Sequence, residues 1–227
     1  RKDVLVGVNM YPNLGEAEAK AEAKAEGHAE DVAVSLGEAS FASLVERAKA
    51  GANLAQLRSA LRQNAGPGPA VEPLQPLRVA AAFEALRQAA ASYAAAHGAT
   101  PKIFLANMGP LKQHKARADF TQGFVNVGGF ECIYPAGFET PDAAAAAALD
   151  AGAQAVVICS TDDSYPEIVP DLTARIKAAA PEMPVLLAGY PTDQIDAFRA
   201  AGIDEFIHLR ADCHAVNAWL QATIGIK

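Results

Sequence analysis

The amino-acid sequence predicts an α/β fold in which a five-stranded, mostly parallel sheet is covered by helices on both faces. From Thr100 onward, five short apolar runs alternate with five segments of helical spacing, an alternation typical of βαβ units. The composition, with 51% hydrophobic and 20% charged residues in 227, is that of a globular protein. Right-handed crossovers between parallel strands then make the domain doubly wound, with three layers.

Composition and charge argue against several classes of partner. Lys and Arg number 19 against 26 Asp and Glu, a formal net charge of −7, so neither nucleic acid nor an anionic membrane surface is expected. The sequence contains no stretch of about 18 apolar residues without a charged residue, so no membrane-spanning segment is predicted. The spacing of Cys132, Cys159 and Cys213 fits neither a disulfide framework nor a zinc knuckle. Reduced, buried thiols are typical of a cytoplasmic protein.

The N-terminal third is predicted to contain little compact structure. Residues 3–9 form an apolar run that we interpret as one buried strand, ended by Tyr11-Pro12-Asn13. Residues 16–31 alternate Ala with Glu and Lys and lack an apolar stripe, which predicts a solvated helix or a linker. Two short amphipathic helices follow, and the glycines and prolines of 66–76 predict an extended linker. The apolar faces of these helices are Phe41, Leu44, Val45 and Ala48, then Leu54, Leu57 and Leu61.

The elements of the α/β domain are predicted in order along the chain. A helix from 78 to 97 leads into the domain and stops at Gly98. The predicted strands are residues 102–106, 130–134, 155–160, 184–188 and 205–209. Each strand is followed by a helix with apolar or alanine positions three or four apart. These are Ala116, Phe120 and Phe124; the alanines of 141–150; Ile168, Leu172 and Ile176; Ile195 and Phe198; and Val216, Leu220 and Ile224.

Ligands of such sheets bind outside the carboxyl ends of the strands, so these ends contain the candidate site residues. The turn after the first strand, residues 107–110, has a single glycine and therefore matches neither a dinucleotide fingerprint nor a phosphate loop. A phosphorelay receiver needs acidic residues after the first strand, an aspartate ending the third and a lysine after the fifth. This sequence has Asn107, Cys159 and Arg210 there, and the receiver function is not predicted.

Other polar residues near these ends have simple structural interpretations. His114, among basic neighbours, fits a solvated basic helix start better than a ligand. Asp162-Asp163 is interpreted as the cap of the following helix, with a metal site as the other possibility. Gly128-Gly129 is interpreted as a helix stop, and His208 as a histidine within the fifth strand. A zinc role for Cys213 and His214 lacks two further ligands.

Several segments resemble the cobalamin-binding domain of acyl-CoA mutases. They are residues 102–109 followed by His114, residues 128–131, Pro141 before an Ala-rich helix, residues 156–160, and Val169-Pro170. Residues 5–11 resemble the last barrel strand of these enzymes, and residues 39–63 resemble their inter-domain segment. Among these enzymes, the sequence is most similar to the small, or beta, subunits of heterodimeric methylmalonyl-CoA mutases.

This resemblance implies a domain organisation and an activity. Residues 1–14 are expected to end a substrate-binding TIM barrel, 15–77 to form a linker with short helices, and 78–227 to form a flavodoxin-like domain of the cobalamin-binding type. The implied enzyme is an isomerase that interconverts (R)-methylmalonyl-CoA and succinyl-CoA. Its cofactor is adenosylcobalamin, and the partner of the small subunit is the large (alpha) subunit in a heterodimer. The chain begins without Met, and we interpret it as a fragment of such a subunit.

The family's cobalt-ligand motif is altered in this sequence. Cobalamin-binding subunits carry Asp-x-His-x-x-Gly after the first strand, where the histidine ligates cobalt and the aspartate orients it. Aligning that histidine with His114 places Lys112 at the aspartate position and Arg117 at the glycine position. A cation cannot accept the imidazole N–H, and an arginine side chain occupies space that the corrin ring needs.

Two further cofactor elements of the family are altered as well. Its Ser-x-Leu after the third strand corresponds to Cys159-Ser160-Thr161, and its Gly-Gly after the fourth corresponds to Ala188-Gly189. We therefore expect that this chain binds no cofactor, contains no catalytic residue and no metal, and acts as a non-catalytic structural partner of the large subunit. The alternative is a functional adenosylcobalamin-binding domain with His114 as the lower axial cobalt ligand.

Overall fold

The computed structural model describes residues 4–13, 15, 40–64 and 78–226, which divide into two compact units. The described part of one unit is residues 40–64, and that of the other is residues 4–13, 15 and 78–226. The predicted linkers over 16–31 and 66–76 lie outside the described residues. In that described part of the chain, no helix has both the length and the apolar character needed to cross a bilayer.

The smaller unit contains the two predicted amphipathic helices, α1 (Phe41–Lys49) and α2 (Leu54–Asn64). A capping box starts α1, since the Ser40 hydroxyl accepts from the Ser43 N–H and the Ser43 hydroxyl accepts from the Ser40 N–H. Both helices are confirmed, but Phe41 and Leu54 of their apolar faces are exposed.

The larger unit contains the five-stranded sheet. Its elements are α3 (Ala81–His97), β1 (Lys102–Asn107), α4 (Leu111–Asn126), β2 (Glu131–Ile133), α5 (Pro141–Asp150), β3 (Ala155–Cys159), α6 (Tyr165–Ala179), β4 (Val185–Ala188), α7 (Ile195–Ala200), β5 (Glu205–Ile207) and α8 (Cys213–Thr223). All pairs are parallel, in the order β2-β1-β3-β4-β5. This is the flavodoxin-like strand order, and the predicted fold class is confirmed.

Two apolar clusters lie on opposite faces of the sheet because successive strand residues point to opposite sides. In β3, Val156 and Ile158 pack with residues from α5, α6 and α7, whereas Ala155, Val157 and Cys159 pack with residues from α3, α4 and α8. Every residue of β3 is buried. Strands covered on both faces show continuous apolar runs. For this reason the apolar runs of the sequence predicted the positions of the strands.

Helix α4 ends near Gly128-Gly129, as predicted. Gly129 has a φ of +82°, a conformation that favours glycine after a helix. A Cβ at Gly129 would also lie 2.6 Å from the Cβ of Ala90, so α3 packs directly on this turn. The helix stop is confirmed.

The strand predicted over residues 3–9 is wrong for the described residues. Residues 7–9 form a turn in which the Gly7 N–H donates to the Met10 carbonyl at 2.7 Å, and Val4 and Val6 are exposed. Arg87 of α3 donates to the Val8 carbonyl at 2.9 Å and holds this turn against α3. A strand needs neighbouring strands to pair its backbone groups, and among the described residues none lies beside this segment. The interpretation of the segment as a barrel strand is not confirmed.

Candidate functional site

The carboxyl end of β1 is covered by the loop that follows β2. The Phe138 N–H donates to the Asn107 carbonyl at 2.7 Å, and the Gly109 N–H donates to the Phe138 carbonyl at 2.8 Å. The Asn107 side-chain amide also donates to the Pro135 carbonyl at 2.8 Å. These three bonds hold residues 135–138 across the turn that leads into α4.

His114 lies beneath this loop and is only 1% exposed. Its Nδ1 is 3.1 Å from the Gly109 carbonyl oxygen, and since a carbonyl only accepts, Nδ1 donates this bond. The buried Nε2 has no hydrogen-bond partner among the described residues. The solvated interpretation of His114 is therefore wrong, because a loop more than 20 positions later packs over the ring.

Replacing His114 with alanine is expected to lower the free energy of unfolding by about 2 kcal/mol, since it removes a buried ring and its bond to Gly109. Urea denaturation followed by circular dichroism measures this loss. Lys112→Ala is the matched control, because Lys112 is exposed in the same helical turn and its replacement should change stability by no more than about 0.5 kcal/mol. Equal losses in the two variants would contradict the burial of His114.

Arg117 extends from α4 across the end of β4. Its Nη1 donates to the Ala188 carbonyl at 2.5 Å, and its Nη2 is 2.9 Å from Asp162 Oδ2. The guanidinium carbon lies 5.4 Å from the ring centroid of Tyr165, within cation–π range. Gly189 has a φ of +145°, and a Cβ there would collide with Nη1 of Arg117. The guanidinium thus occupies the space that a side chain at Gly189 would fill.

The predicted capping role of Asp162-Asp163 is wrong. Ser164 is the N-cap of α6, and no side chain makes a cap hydrogen bond there, while Asp162 pairs with Arg117 instead. The remote arginine, which lies on α4, determines the orientation of this carboxylate. Among the described residues, no group of three or more His, Cys, Asp or Glu side chains is placed to hold a metal ion.

A network of buried and partly buried hydroxyl groups connects the ends of β3 and β4. The Tyr165 hydroxyl donates to the Ala188 carbonyl at 2.5 Å and accepts from the Ser160 N–H at 3.1 Å. The hydroxyl of Ser164 lies 2.8 Å from that of Ser160 and 3.0 Å from that of Thr161. Sequence reasoning missed Tyr165 and Ser164; a tyrosine directly before a proline at a helix start was the one local signal available.

Cys159 ends β3 with its thiol buried. Burial raises the pKa of this thiol to about 12, so it stays protonated at neutral pH and is a poor nucleophile. Burial likewise raises the pKa of Cys132 to about 12. Neither thiol is therefore suited to nucleophilic catalysis.

A groove of about 630 Å³ lies between α4 and the ends of β4 and β5, and we call it the β4–β5 groove. Its lining consists of Ala116, Arg117, Phe120, Ala188, Gly189, Tyr190, Thr192 and residues 207–210. Strand β5 ends at Ile207, so His208 follows the strand rather than lying within it. Of the candidate site residues, Arg117, Ala188 and Gly189 meet in this groove, whereas His114, Cys159, Thr161 and Lys112 lie outside its lining.

Comparison with known protein sequences identifies several relatives of this chain. No protein-family model matches the chain. It is 34% identical over 142 residues to the methylmalonyl-CoA mutase small subunit of Porphyromonas gingivalis, a match covering 63% of this chain and 22% of that protein. It is 39% identical over 125 residues to the probable methylmalonyl-CoA mutase small subunit of Mycobacterium tuberculosis, covering 53% and 20%. The chain is related to methylmalonyl-CoA mutase small subunits.

The methylmalonyl-CoA mutase small subunit of Streptomyces virginiae matches at 34% identity over 152 residues, 66% of this chain and 23% of that protein. The chain thus spans about a fifth of the length of these small-subunit relatives. The resemblance to methylmalonyl-CoA mutase small subunits is confirmed. Among solved structures, a receiver domain of a sensor histidine kinase from Pseudomonas aeruginosa matches with a TM-score of 0.41 and 14% identity, over 55% of this chain and 98% of that one.

Proposed function

We propose that this chain is the C-terminal part of the small subunit of a methylmalonyl-CoA mutase, an isomerase that interconverts (R)-methylmalonyl-CoA and succinyl-CoA. In this proposal the chain is a non-catalytic structural partner of the large subunit in a cytoplasmic heterodimer. The names of its relatives support the small-subunit role. The adenosylcobalamin of the whole enzyme is then bound by the large subunit.

The position of Arg117 is the observation that carries the non-catalytic part of the proposal. Its guanidinium lies against Gly189 and is held by Ala188 and Asp162, in space that the resemblance assigns to the cofactor. Near His114, the residue at the aspartate position of the family motif is Lys112, which offers no carboxylate to orient an imidazole. Residues 135–138 also cover the His114 ring. These residues do not fit adenosylcobalamin, which supports a domain that binds no cofactor.

The alternative function is a cobalamin-binding domain with His114 as the lower axial ligand. One observation favours it, namely that Nε2 of His114 is buried and has no partner among the described residues. To reach cobalt, that nitrogen requires the loop 135–138 to move away and Arg117 to leave Gly189.

Titration with adenosylcobalamin separates the two functions. With about 100 μM cofactor, the chain is expected to cause no change in the cobalamin absorption spectrum. Any binding then has a free energy weaker than about −5.5 kcal/mol. A spectrum of histidine-ligated cobalt that His114→Ala abolishes would establish the alternative. The triple variant Lys112→Asp, Arg117→Gly, Ala188→Gly tests the cause, because weak binding should return once the carboxylate and the space are restored.

Association with the large subunit tests the structural role. The complete small subunit should co-elute with the large subunit in size-exclusion chromatography at micromolar concentration, through an interface of about 1,000–2,000 Å² or more. Two separate peaks at that concentration would contradict the partner role. The absorbance of cobalamin should then follow the large subunit whether or not the small subunit is added.

A further inference from the structure

The β4–β5 groove has the size and place of a small-molecule site. Its volume of about 630 Å³ falls within the range of about 300–1,000 Å³ typical of ligand pockets. It opens at the carboxyl ends of two parallel strands, the edge at which doubly wound sheets bind ligands. The groove remains open although Arg117 occupies the space beside Gly189.

Aromatic side chains form the walls of the groove. Tyr190 stacks on His208 with ring centroids 4.4 Å apart and packs edge-on against Phe206 at 5.6 Å. Phe120 contributes a second ring from α4, and Leu209 at the margin is 78% exposed. Because Tyr190 is braced on two sides, it offers a rigid face on which a flat ring can stack at little entropic cost.

The polar groups of the groove leave one positive charge uncompensated. The charge of Arg117 is paired with Asp162. The exposed Arg210 also lines the groove, and its guanidinium forms no ion pair with any described residue. Burial lowers the pKa of His208, which favours the neutral form of its ring. Among the residues that line the groove, Arg210 is thus the one cation without an ion pair. One cation suits a monoanion, whereas a polyphosphate would need several.

We propose that the β4–β5 groove binds a small planar aromatic monoanion, with its ring between Tyr190 and Phe120 and its carboxylate on Arg210. A second fused ring is accommodated by the apolar lining from Ala116 and Ile207. This inference concerns the groove of this chain alone and does not rest on the proposed subunit role.

Naphthalene-2-carboxylate and its uncharged amide test the proposal in a nuclear magnetic resonance titration of the full chain. The acid is expected to bind at submillimolar concentration, to shift the signals of groove residues, and to bind about five- to tenfold more tightly than the amide. Arg210→Gln should remove that preference. Arg58→Gln is the control, because it removes an exposed arginine of α2, outside the groove.

A variant that fills the groove tests whether the acid binds there. Ala116 is exposed on α4 and lines the groove, so Ala116→Trp should block binding without disturbing the core. Ala174→Trp on α6, exposed and outside the groove lining, should bind the acid as the unchanged chain does. The proposal is overturned if the acid fails to bind at about 5 mM, if acid and amide bind equally, or if Ala116→Trp retains binding. Groove signals that respond only to the large subunit would assign this surface to a protein interface and also overturn it.

Discussion

Replacing Tyr165 with alanine is expected to lower the free energy of unfolding by about 4 kcal/mol. The side chain is fully buried, and its ring packs edge-on against Phe198 at 6.4 Å. Its hydroxyl joins the ends of β3 and β4 by bonding Ser160 and Ala188. The substitution therefore opens a large cavity and leaves the buried Ser160 N–H without its partner. Urea denaturation followed by circular dichroism measures the loss.

Two tyrosine-to-phenylalanine variants separate the ring from the hydroxyl. Tyr165→Phe keeps the ring and removes only the hydroxyl, so it should cost about 1–3 kcal/mol. Tyr190→Phe alters a tyrosine that is 47% exposed and should change stability by no more than about 0.5 kcal/mol. If Tyr165→Phe costs no more than Tyr190→Phe, the hydroxyl network does not stabilise this end of the sheet.

Replacing Gly137 with alanine is expected to cost about 3 kcal/mol. A Cβ at this position would collide with the Gly109 carbonyl oxygen and lie 2.7 Å from Cε1 of His114. The first contact is with backbone, which cannot rotate away, so the loop must shift and strain its bonds to β1. Thermal unfolding measures the change.

Gly123→Ala is the matched control for this substitution. Gly123 lies inside α4, and apart from its chain neighbours and the nearby backbone of its own helix, a Cβ there would meet no atom within 4 Å. Because alanine has the higher helix propensity, this variant should be stabilised by about 0.5–1 kcal/mol. A stabilised Gly137→Ala variant would show that the loop does not press on His114.

Sequence periodicity located the strands and helices because it reports how each element is buried. The five apolar runs belong to strands covered on both faces, and the predicted strands overlap β1 to β5 with small differences at their ends. Residues 3–9 show the limit of this argument. Their apolar character resembles that of a buried strand, yet Val4 and Val6 are exposed, since a strand also requires partners that a local pattern cannot report.

By itself, the sequence determined the fold class, the order of the elements, the relation to mutase small subunits and the altered residues at positions 112, 117 and 188. Only the tertiary structure decided what those residues do. His114 is buried because the loop at Gly137 packs on it, and Arg117 bonds to Ala188, 71 positions later. A parallel sheet brings the carboxyl ends of all its strands to one edge. Contacts at that edge therefore join loops far apart in the chain, and no local pattern of hydrophobicity or charge encodes which of them meet.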